Sequence, residues 1–268
     1  MSFDELQRAQ FDFGKISYRE QGSGDALVFL HGLAGNSRSW TGQFKEFAST
    51  NRVLAWDAPG YGGSSVIGSD INDFADALAT LLDTCGIEQI RLTGHSMGGI
   101  VAGRFAGRYP QRVRSLVLSC TFVGGLQPKG QPLQENYQSR LDSFDTLSPA
   151  EYGAGRAKGM IPAGSIGATA ETLDLATDIA SEINREGLGE AARMISEADN
   201  REMLTSLTMP VTVLAGGIDP IVPIEKTQEM LDLIPGSQKA IIENTGHACY
   251  LEDAPSYNQA IRLAHSLS

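Results

Sequence analysis

The chain has 268 residues, 41% of them hydrophobic, and its 32 acidic and 21 basic side chains give a formal net charge of −11. A chain of this length buries roughly three quarters of its unfolded surface, so it needs neither disulfides nor a metal to stabilise its core. The acidic surplus excludes nucleic acid as an expected partner, and the apolar runs are too short to span a membrane. Three scattered cysteines and the lack of a signal-peptide pattern predict a cytoplasmic protein, whose oligomeric state stays open.

Short apolar runs rich in Val and Leu predict the strands. The first, from Phe11 to Glu20, alternates and contains Gly14, which is typical of a hairpin or a bent strand. Continuous apolar runs indicate strands that are covered on both faces, as in a parallel sheet. The remaining strands are predicted at 26–30, 53–56, 90–93, 113–119, 211–215 and 239–242.

Helical patterns alternate with these strands. Apolar residues between positions 71 and 82 recur at i, i+3, i+4 and i+7 and predict a helix, with Ser69 or Asp70 as its cap. A second helix is expected after Ser96, and the last from about 255 to 266. Strand–helix alternation predicts right-handed βαβ units and an α/β fold with a doubly wound, mostly parallel sheet.

Strand patterns are absent between residues 122 and 207. Ser148 to Glu151 forms a capping box with proline at the first helical position, and apolar stripes between 173 and 195 predict further helices. We therefore expect a core formed by residues 1–121 and 208–268, interrupted by a helical cap at 122–207.

A candidate nucleophile lies where a predicted strand turns into a predicted helix. Gly94-His95-Ser96-Met97-Gly98 matches the pattern G-x-S-x-G. Such a turn holds its serine at a strained backbone angle and leaves no room for side chains two residues to either side, which Gly94 and Gly98 satisfy. The pattern predicts Ser96 as a catalytic nucleophile.

A nucleophilic serine needs a base, and the chain has four histidines. His31 precedes a glycine-rich loop, His95 lies inside the turn itself, and His265 belongs to the last helix, where we expect it at the surface. His247 follows the last predicted strand, and loops at the carboxyl ends of strands present catalytic side chains in such folds. His247 is therefore the predicted base.

The base in turn needs a carboxylate to orient it. Asp219 follows the strand at 211–215, in a loop that Pro220 and Pro223 stiffen. The predicted catalytic residues are thus Ser96, Asp219 and His247, in that order along the chain.

This order of residues resembles the α/β-hydrolase superfamily. His31 to Gly35 is similar to the family's HG-x-x-G oxyanion loop, and Asp57 to Ser64 to its D-x-P-G-x-G-x-S turn, which we expect to be structural. The resemblance implies an α/β-hydrolase fold with an inserted cap, and an oxyanion hole formed by the backbone N–H groups of Leu33 and Met97.

By the same resemblance, the predicted function is a serine esterase or lactonase that cleaves a small substrate through an acyl-enzyme on Ser96. Serine at this position argues against dehalogenases and epoxide hydrolases, which carry aspartate there. A C–C bond hydrolase of a vinylogous diketone stays open, although Ala248 replaces the tryptophan frequent after its histidine. A ligand sensor and a cofactor-free oxygenase also stay open. No metal or nucleotide motif is present, so we expect no cofactor.

The substrate pocket is harder to predict. Its apolar wall could include Trp40, Phe122, Met160 and Tyr250. The cap also offers four cations that could meet a substrate carboxylate, although exposed helix charges are the commoner role of such residues. These cations are Arg140, Arg156, Lys158 and Arg193.

Overall fold

A single eight-stranded sheet organises the computed structural model, which describes residues 5–267. Residues 1–4 and 268 of the expected core lie outside this range. The spatial order is β1-β2-β4-β3-β5-β6-β7-β8, in which β2 pairs antiparallel with β1 and β4 and all other neighbours are parallel. The strands are Gln7–Phe11 (β1), Gly14–Gln21 (β2), Ala26–Leu30 (β3), Arg52–Trp56 (β4), Ile90–His95 (β5), Val113–Ser119 (β6), Val211–Gly216 (β7) and Gln238–Ile242 (β8).

Helices cover the sheet and fill the connections between its strands. Two short 3-10 turns occupy Ser37–Trp40 and Pro110–Arg112. The α-helices within the described range are Thr41–Phe47 (α1), Ile71–Thr84 (α2), Met97–Arg108 (α3), Glu135–Thr146 (α4), Pro149–Met160 (α5), Ala170–Ser181 (α6), Arg185–Glu197 (α7), Arg201–Thr205 (α8), Ile224–Leu233 (α9), Cys249–Glu252 (α10) and Ala254–Ala264 (α11). None of these helices combines the length and apolarity that crossing a membrane requires.

The expected mostly parallel α/β sheet is confirmed, and the local patterns explain where its elements begin. The hairpin between β1 and β2 turns at Gly14, whose φ of 128° favours glycine. Asp70 caps α2 by accepting a hydrogen bond from the Asn72 N–H at 2.9 Å. Ser148 and Glu151 form the predicted capping box at the start of α5.

The strand order creates an opening at one edge of the sheet. From β3 the chain moves to β4 on one side, and it then returns to β5 on the other side. The loops that follow β3 and β5 therefore diverge at the carboxyl ends of these strands, which is where open α/β sheets bind ligands. Leu33 follows β3 and Ser96 follows β5, while Asp219 and His247 follow the neighbouring strands β7 and β8.

The segment between β6 and β7 contains the helices α4 to α8 and, as far as the structure describes it, no strand. This is the region predicted as a cap at 122–207, and its exact limits stay a prediction. The sequence patterns did not reveal α4, because only Tyr137 and Leu141 of this helix are buried. An amphipathic stripe this sparse carries little periodic signal.

The expected surface position of His265 is wrong. Its side chain is buried at the end of α11, and its ring nitrogens are hydrogen-bonded to the hydroxyl groups of Thr93 and Ser115 at 2.9 and 2.8 Å. Its backbone carbonyl also accepts a hydrogen bond from Arg91. His265 is thus a buried residue that connects the end of the last helix to β5 and β6 by hydrogen bonds.

Burial of His265, together with the charge of Arg91, lowers the pKa of this histidine to about 3. An unfolded histidine titrates near 6.5, so the unfolded chain binds more protons than the folded chain as the pH falls from about 6.5 toward 3. Because of His265, the free energy of unfolding should therefore decrease by about 1.4 kcal/mol for each pH unit as the pH falls through this range. We expect His265→Gln to reduce the slope of unfolding free energy against pH between pH 6 and 4 by that amount in urea titrations. Equal slopes in the variant and the parent would contradict this account.

Candidate active site

Ser96 occupies a sharp turn between β5 and α3. Its φ of 53° and ψ of −116° lie in a region that side chains rarely adopt, so the turn stores backbone strain. Two contacts hold this conformation: the Ser96 N–H donates to the carbonyl of Ser119 at the end of β6, at 2.9 Å, and the hydroxyl of Thr121, in the loop after β6, donates to the Ser96 carbonyl at 2.7 Å. The serine side chain is partly exposed at the carboxyl edge of the sheet.

The two positions that flank this turn, Gly94 and Gly98, have no room for a side chain. A Cβ atom at Gly94 would lie 2.7 Å from the Cβ of Ala102, and one at Gly98 would lie 2.6 Å from the carbonyl carbon of Leu30. Both separations are too short for real carbon contacts. The absence of side chains therefore lets the start of α3 pack directly against β3 and β5.

His247 and Asp219 form a buried pair. His247 Nδ1 lies 2.8 Å from Asp219 Oδ2, and the two side chains are only 4% and 2% exposed. The other carboxylate oxygen accepts hydrogen bonds from the N–H groups of Ile221 and Val222 at 2.8 and 3.0 Å. Burial acts to raise the pKa of Asp219, but the imidazole of His247 and these two N–H groups outweigh it and hold the pKa below its usual range. Asp219 is thus an ionised carboxylate aimed at the histidine.

The backbone of His247 is held from two sides. Its N–H donates to the Met160 carbonyl at the end of α5, at 2.8 Å, and its carbonyl accepts a hydrogen bond from His95 Nε2, also at 2.8 Å. Burial and the neighbouring His247 lower the pKa of His95 to about 3, so this second imidazole is neutral. His95 therefore positions the loop of His247, and the cap helix α5 contributes to the same support.

His31 holds the loop that follows β3. Its Nε2 accepts a hydrogen bond from the Ala58 N–H at 2.9 Å, which leaves the ring proton on Nδ1 to be donated to the Gly32 carbonyl at 2.8 Å. Burial lowers the pKa of His31, in keeping with a neutral ring. The Tyr61 hydroxyl donates to the Leu33 carbonyl at 3.0 Å. These bonds fix the peptide group that carries the Leu33 N–H and the peptide group that follows it.

Asp57, in the turn predicted to be structural, is buried and makes structural contacts. Its carboxylate accepts hydrogen bonds from the Ser37 N–H at 2.7 Å and from the Ser17 hydroxyl at 2.5 Å. The turn from Asp57 to Ser64 thereby joins β2, β4 and the loop after β3.

Two adjoining cavities meet at Ser96. The smaller one is lined by both Ser96 and His247, so the structure brings the predicted nucleophile and base to one space. The larger one has a volume of about 420 Å³, and its wall includes Ser96, Leu33 and Met97. This volume falls in the range of small-molecule sites.

Of the four apolar residues predicted for the pocket wall, three line these cavities. Phe122 lies in the wall of the larger cavity, and Met160 and Tyr250 in the wall of the smaller one. The expectation for Trp40 is corrected: this side chain is completely buried and packs behind Tyr250, with ring centroids 4.9 Å apart. The indole therefore supports the wall from the second layer without facing the cavity.

The structure also places cationic residues that the sequence patterns favoured as surface charges. Arg140 of α4 lines both cavities, and Arg156 of α5 lines the smaller one. Lys158 and Arg193 of the cap contribute to neither wall. Spacing alone could not separate these two pairs, because the orientation of each cap helix depends on its packing against the core.

The fold assembles one group of potential metal ligands that sequence spacing does not reveal. Ligand atoms of His95, Cys120 and His247 lie within 4.8 Å of one another. Nδ1 of His247 is already bonded to Asp219, and Nε2 of His95 is already bonded to the His247 carbonyl. Cys120 also contacts the buried thiol of Cys249, with the sulfur atoms 3.6 Å apart.

The family model described as alpha/beta hydrolase fold matches residues 25–161, which span β3 to the end of α5. The chain belongs to the α/β-hydrolase fold family. This membership supports its assignment as a hydrolase of that fold.

Relatives that share this fold include enzymes named for ester and carbamate hydrolysis. An esterase of Thermogutta terrifontis, solved with malate bound, is 28% identical, with a TM-score of 0.84 and coverage of 96% of this chain and 97% of that one. A pimeloyl-[acyl-carrier protein] methyl ester esterase of Aliivibrio salmonicida is 27% identical over 257 residues, which cover 90% of this chain and 92% of the relative. A putative carbamate hydrolase of Stutzerimonas stutzeri is 28% identical over 240 residues, with coverage of 88% and 89%.

The close approach at Gly98 gives a test of how tightly the turn is built. A Cβ at Gly98 meets the backbone of β3, whereas one at Gly155, also in a helix, meets nothing within 4 Å. We expect Gly98→Ala to destabilise the protein by about 1–3 kcal/mol through overpacking. Gly155→Ala, as the matched control, should stabilise it by about 0.5–1 kcal/mol through helix propensity. Urea unfolding of both variants measures the difference, and equal effects at the two positions would show that the turn can relax.

Proposed function

We propose that this protein is a serine hydrolase that cleaves a small carboxylic ester or lactone through an acyl-enzyme on Ser96. The observation that carries the proposal is the buried pair formed by His247 and the ionised Asp219. The imidazole of His247 lines the same cavity as Ser96 at the strained turn. A serine, an imidazole and an orienting carboxylate on separate strand-end loops constitute the machinery of acyl transfer.

The chemistry follows from the groups at this edge of the sheet. Because His247 Nδ1 is bonded to Asp219, Nε2 is the nitrogen that takes the proton from the Ser96 hydroxyl as its oxygen attacks the substrate carbonyl. The tetrahedral intermediate collapses when the imidazolium returns this proton to the leaving oxygen, and an acyl-serine forms. His247 then removes a proton from water, which attacks the acyl-serine. The bond between the acyl group and the Ser96 oxygen breaks, the imidazolium returns the proton to that oxygen, and the acid is released. Asp219 stabilises the imidazolium in both halves of the cycle.

The oxyanion would be bound by the N–H groups of Leu33 and Met97. Met97 is the first residue of α3, so its N–H has no acceptor within its own helix and lies at the positive end of the helix dipole. Leu33 is held by the contacts of His31 and Tyr61 with its loop. A donor of this kind is worth about 3 kcal/mol in the transition state.

Small esters and lactones are favoured by the size of the site and by the relatives. The 420 Å³ cavity is walled in part by cap residues such as Tyr137 and Ile195, and a volume of this size suits a small molecule. Relatives with at least 25% identity include proteins named as esterases.

A C–C bond hydrolase would use the same three residues, so it is the alternative to be tested. Hydrolysis of p-nitrophenyl acetate and simple lactones, compared with that of a coloured ring-fission dienoate, separates the two reactions. A ligand sensor, the second alternative, would show stoichiometric labelling by a fluorophosphonate without multiple turnover. Sustained turnover of an ester or lactone supports the proposal.

Ser96→Ala removes the nucleophile and should lower kcat by about 10⁴- to 10⁶-fold, since the remaining groups only bind and polarise the substrate. Ser139→Ala, in the exposed part of α4, is the matched control and should leave kcat unchanged. Initial rates on the best substrate of an ester and lactone panel measure both variants. Retention of full activity by Ser96→Ala would refute the proposed mechanism.

Asp219→Asn keeps the shape of the side chain but removes its charge and presents an amide to Nδ1. The imidazole would then be held in the wrong tautomer for accepting the serine proton, and kcat should fall by about 10⁴-fold. Asp178→Asn, which alters an exposed carboxylate paired with Arg38, serves as the control. A loss of less than tenfold in Asp219→Asn would assign the orienting role to another group.

A further inference from the structure

The charge of the cavity walls is opposite to that of the whole chain. The protein carries 32 acidic residues and a formal charge of −11. Within residues 5–267, however, neither cavity at Ser96 has an aspartate or glutamate in its wall, while Arg140, Arg156 and Lys226 contribute to it. A cationic pocket in an acidic protein indicates a ligand with negative charge, because the pocket attracts such a ligand while the acidic surface around it repels one.

Neither of the two arginines at the cavities forms an ion pair with a carboxylate among the described residues. Elsewhere in the structure, Arg185 of the cap pairs with Asp145 at 2.7 Å, and Arg38 pairs with Asp178 at 2.6 Å. Lys226, at the rim of the larger cavity, pairs with Glu229 at 2.8 Å. Among the described residues, neither Arg140 nor Arg156 has an acidic side chain within ion-pairing distance.

Arg140 and Arg156 are also both partly buried. The guanidinium of Arg140 lies over the ring of Tyr137, 5.1 Å from its centroid, so one face of the cation is covered by an aromatic ring. Burial and the nearby charge of Arg140 lower the pKa of Arg156 to about 10, at which it is still protonated at neutral pH. Two neighbouring cations, partly removed from water and without counterions, are a destabilising arrangement unless a ligand neutralises them.

Their position relates them to the reacting atoms. Arg140 lines both cavities together with Ser96, and Arg156 lines the smaller cavity together with Ser96 and His247. A guanidinium presents a planar fork of N–H groups that matches the two oxygens of a carboxylate. The anion that fits this place is therefore carried by the same small molecule whose carbonyl reaches Ser96.

We propose that Arg140 and Arg156 form a carboxylate-binding site, and that the substrate is a small ester or lactone bearing a free carboxylate near the scissile carbonyl. The part of this inference that names an ester or lactone rests on the proposed hydrolase function. The binding of the carboxylate by the two arginines does not depend on it. The two cap helices thus select the substrate by its charge.

The first test uses the unaltered protein. Monomethyl esters of malonate, succinate, glutarate and adipate are compared with the corresponding dimethyl esters, so that charge changes while the acyl chain is kept. We expect kcat/KM for the best monomethyl ester to exceed that for its dimethyl partner by roughly 10- to 100-fold, the size of a charge-assisted bidentate contact. Equal or greater activity on every dimethyl ester would overturn the carboxylate site while leaving the ester hydrolase intact.

The second test assigns the effect to the two arginines. Arg140→Gln and Arg156→Gln should each lower the ratio of kcat/KM for the monomethyl ester to that for the dimethyl ester by roughly 10- to 100-fold. The control is Arg193→Gln, in the cap helix α7 but outside both cavity walls, which should leave this ratio unchanged. Thermal melting confirms that the variants are folded, and equal losses on both esters would contradict a charge-selecting role.

A binding measurement separates this inference from the proposed function. Calorimetric titration of Ser96→Ala with succinate and glutarate reports anion binding without any chemistry. Binding that is lost in Ser96→Ala/Arg156→Gln supports the site even if no ester in the panel is hydrolysed. The absence of binding for every dicarboxylate, together with hydrolysis of neutral esters, would overturn the site and leave the hydrolase standing.

Discussion

The site depends on one steric constraint, the close approach of α3 to the centre of the sheet. Ser96 can hold its positive φ only because Gly94 and Gly98 let the turn pack against Ala102 and Leu30 without a Cβ between them. The strain is compensated by hydrogen bonds to the end of β6 and to the loop that follows it. In the proposed mechanism, a serine held this rigidly needs little reorganisation when it attacks, which is the physical advantage of a nucleophile on a strained turn.

The four histidines show how environment divides one residue type into different roles. His31, His95 and His265 are buried among neutral hydrogen-bonding groups, and burial lowers the pKa of each, so they serve as uncharged ties between loops and strands. His247 is the one that contacts a carboxylate, Asp219, among the described residues. The proposed proton transfer needs an imidazole that a carboxylate orients, and this contact forms where the loops after β7 and β8 meet.

In the proposed function, the cap adds selectivity to a core that supplies the catalytic groups. Helices α4 and α5 bring cations to the cavities at Ser96, and the proposed catalytic residues lie in the loops after β5, β7 and β8. The same α5 ends at Met160, whose carbonyl accepts the N–H of His247, so the cap is joined to the proposed base. A change in the packing of α5 would therefore affect both the proposed substrate recognition and the proposed catalysis.

The sequence by itself determined the strands and the turn at Ser96, and it was enough to predict Asp219 and His247 as the acid and the base. Each depends on a local pattern: an apolar run, a glycine spacing, or a polar residue directly after a strand. Tertiary structure alone decided that His265 is buried, that Trp40 lies behind the pocket wall, and that Arg140 and Arg156 face the cavity. These outcomes depend on which face of a helix packs against a partner distant in sequence. Periodicity is weak in a sparsely apolar helix such as α4, and it contains no information on that partner, so the orientation of the cap follows only from the packed fold.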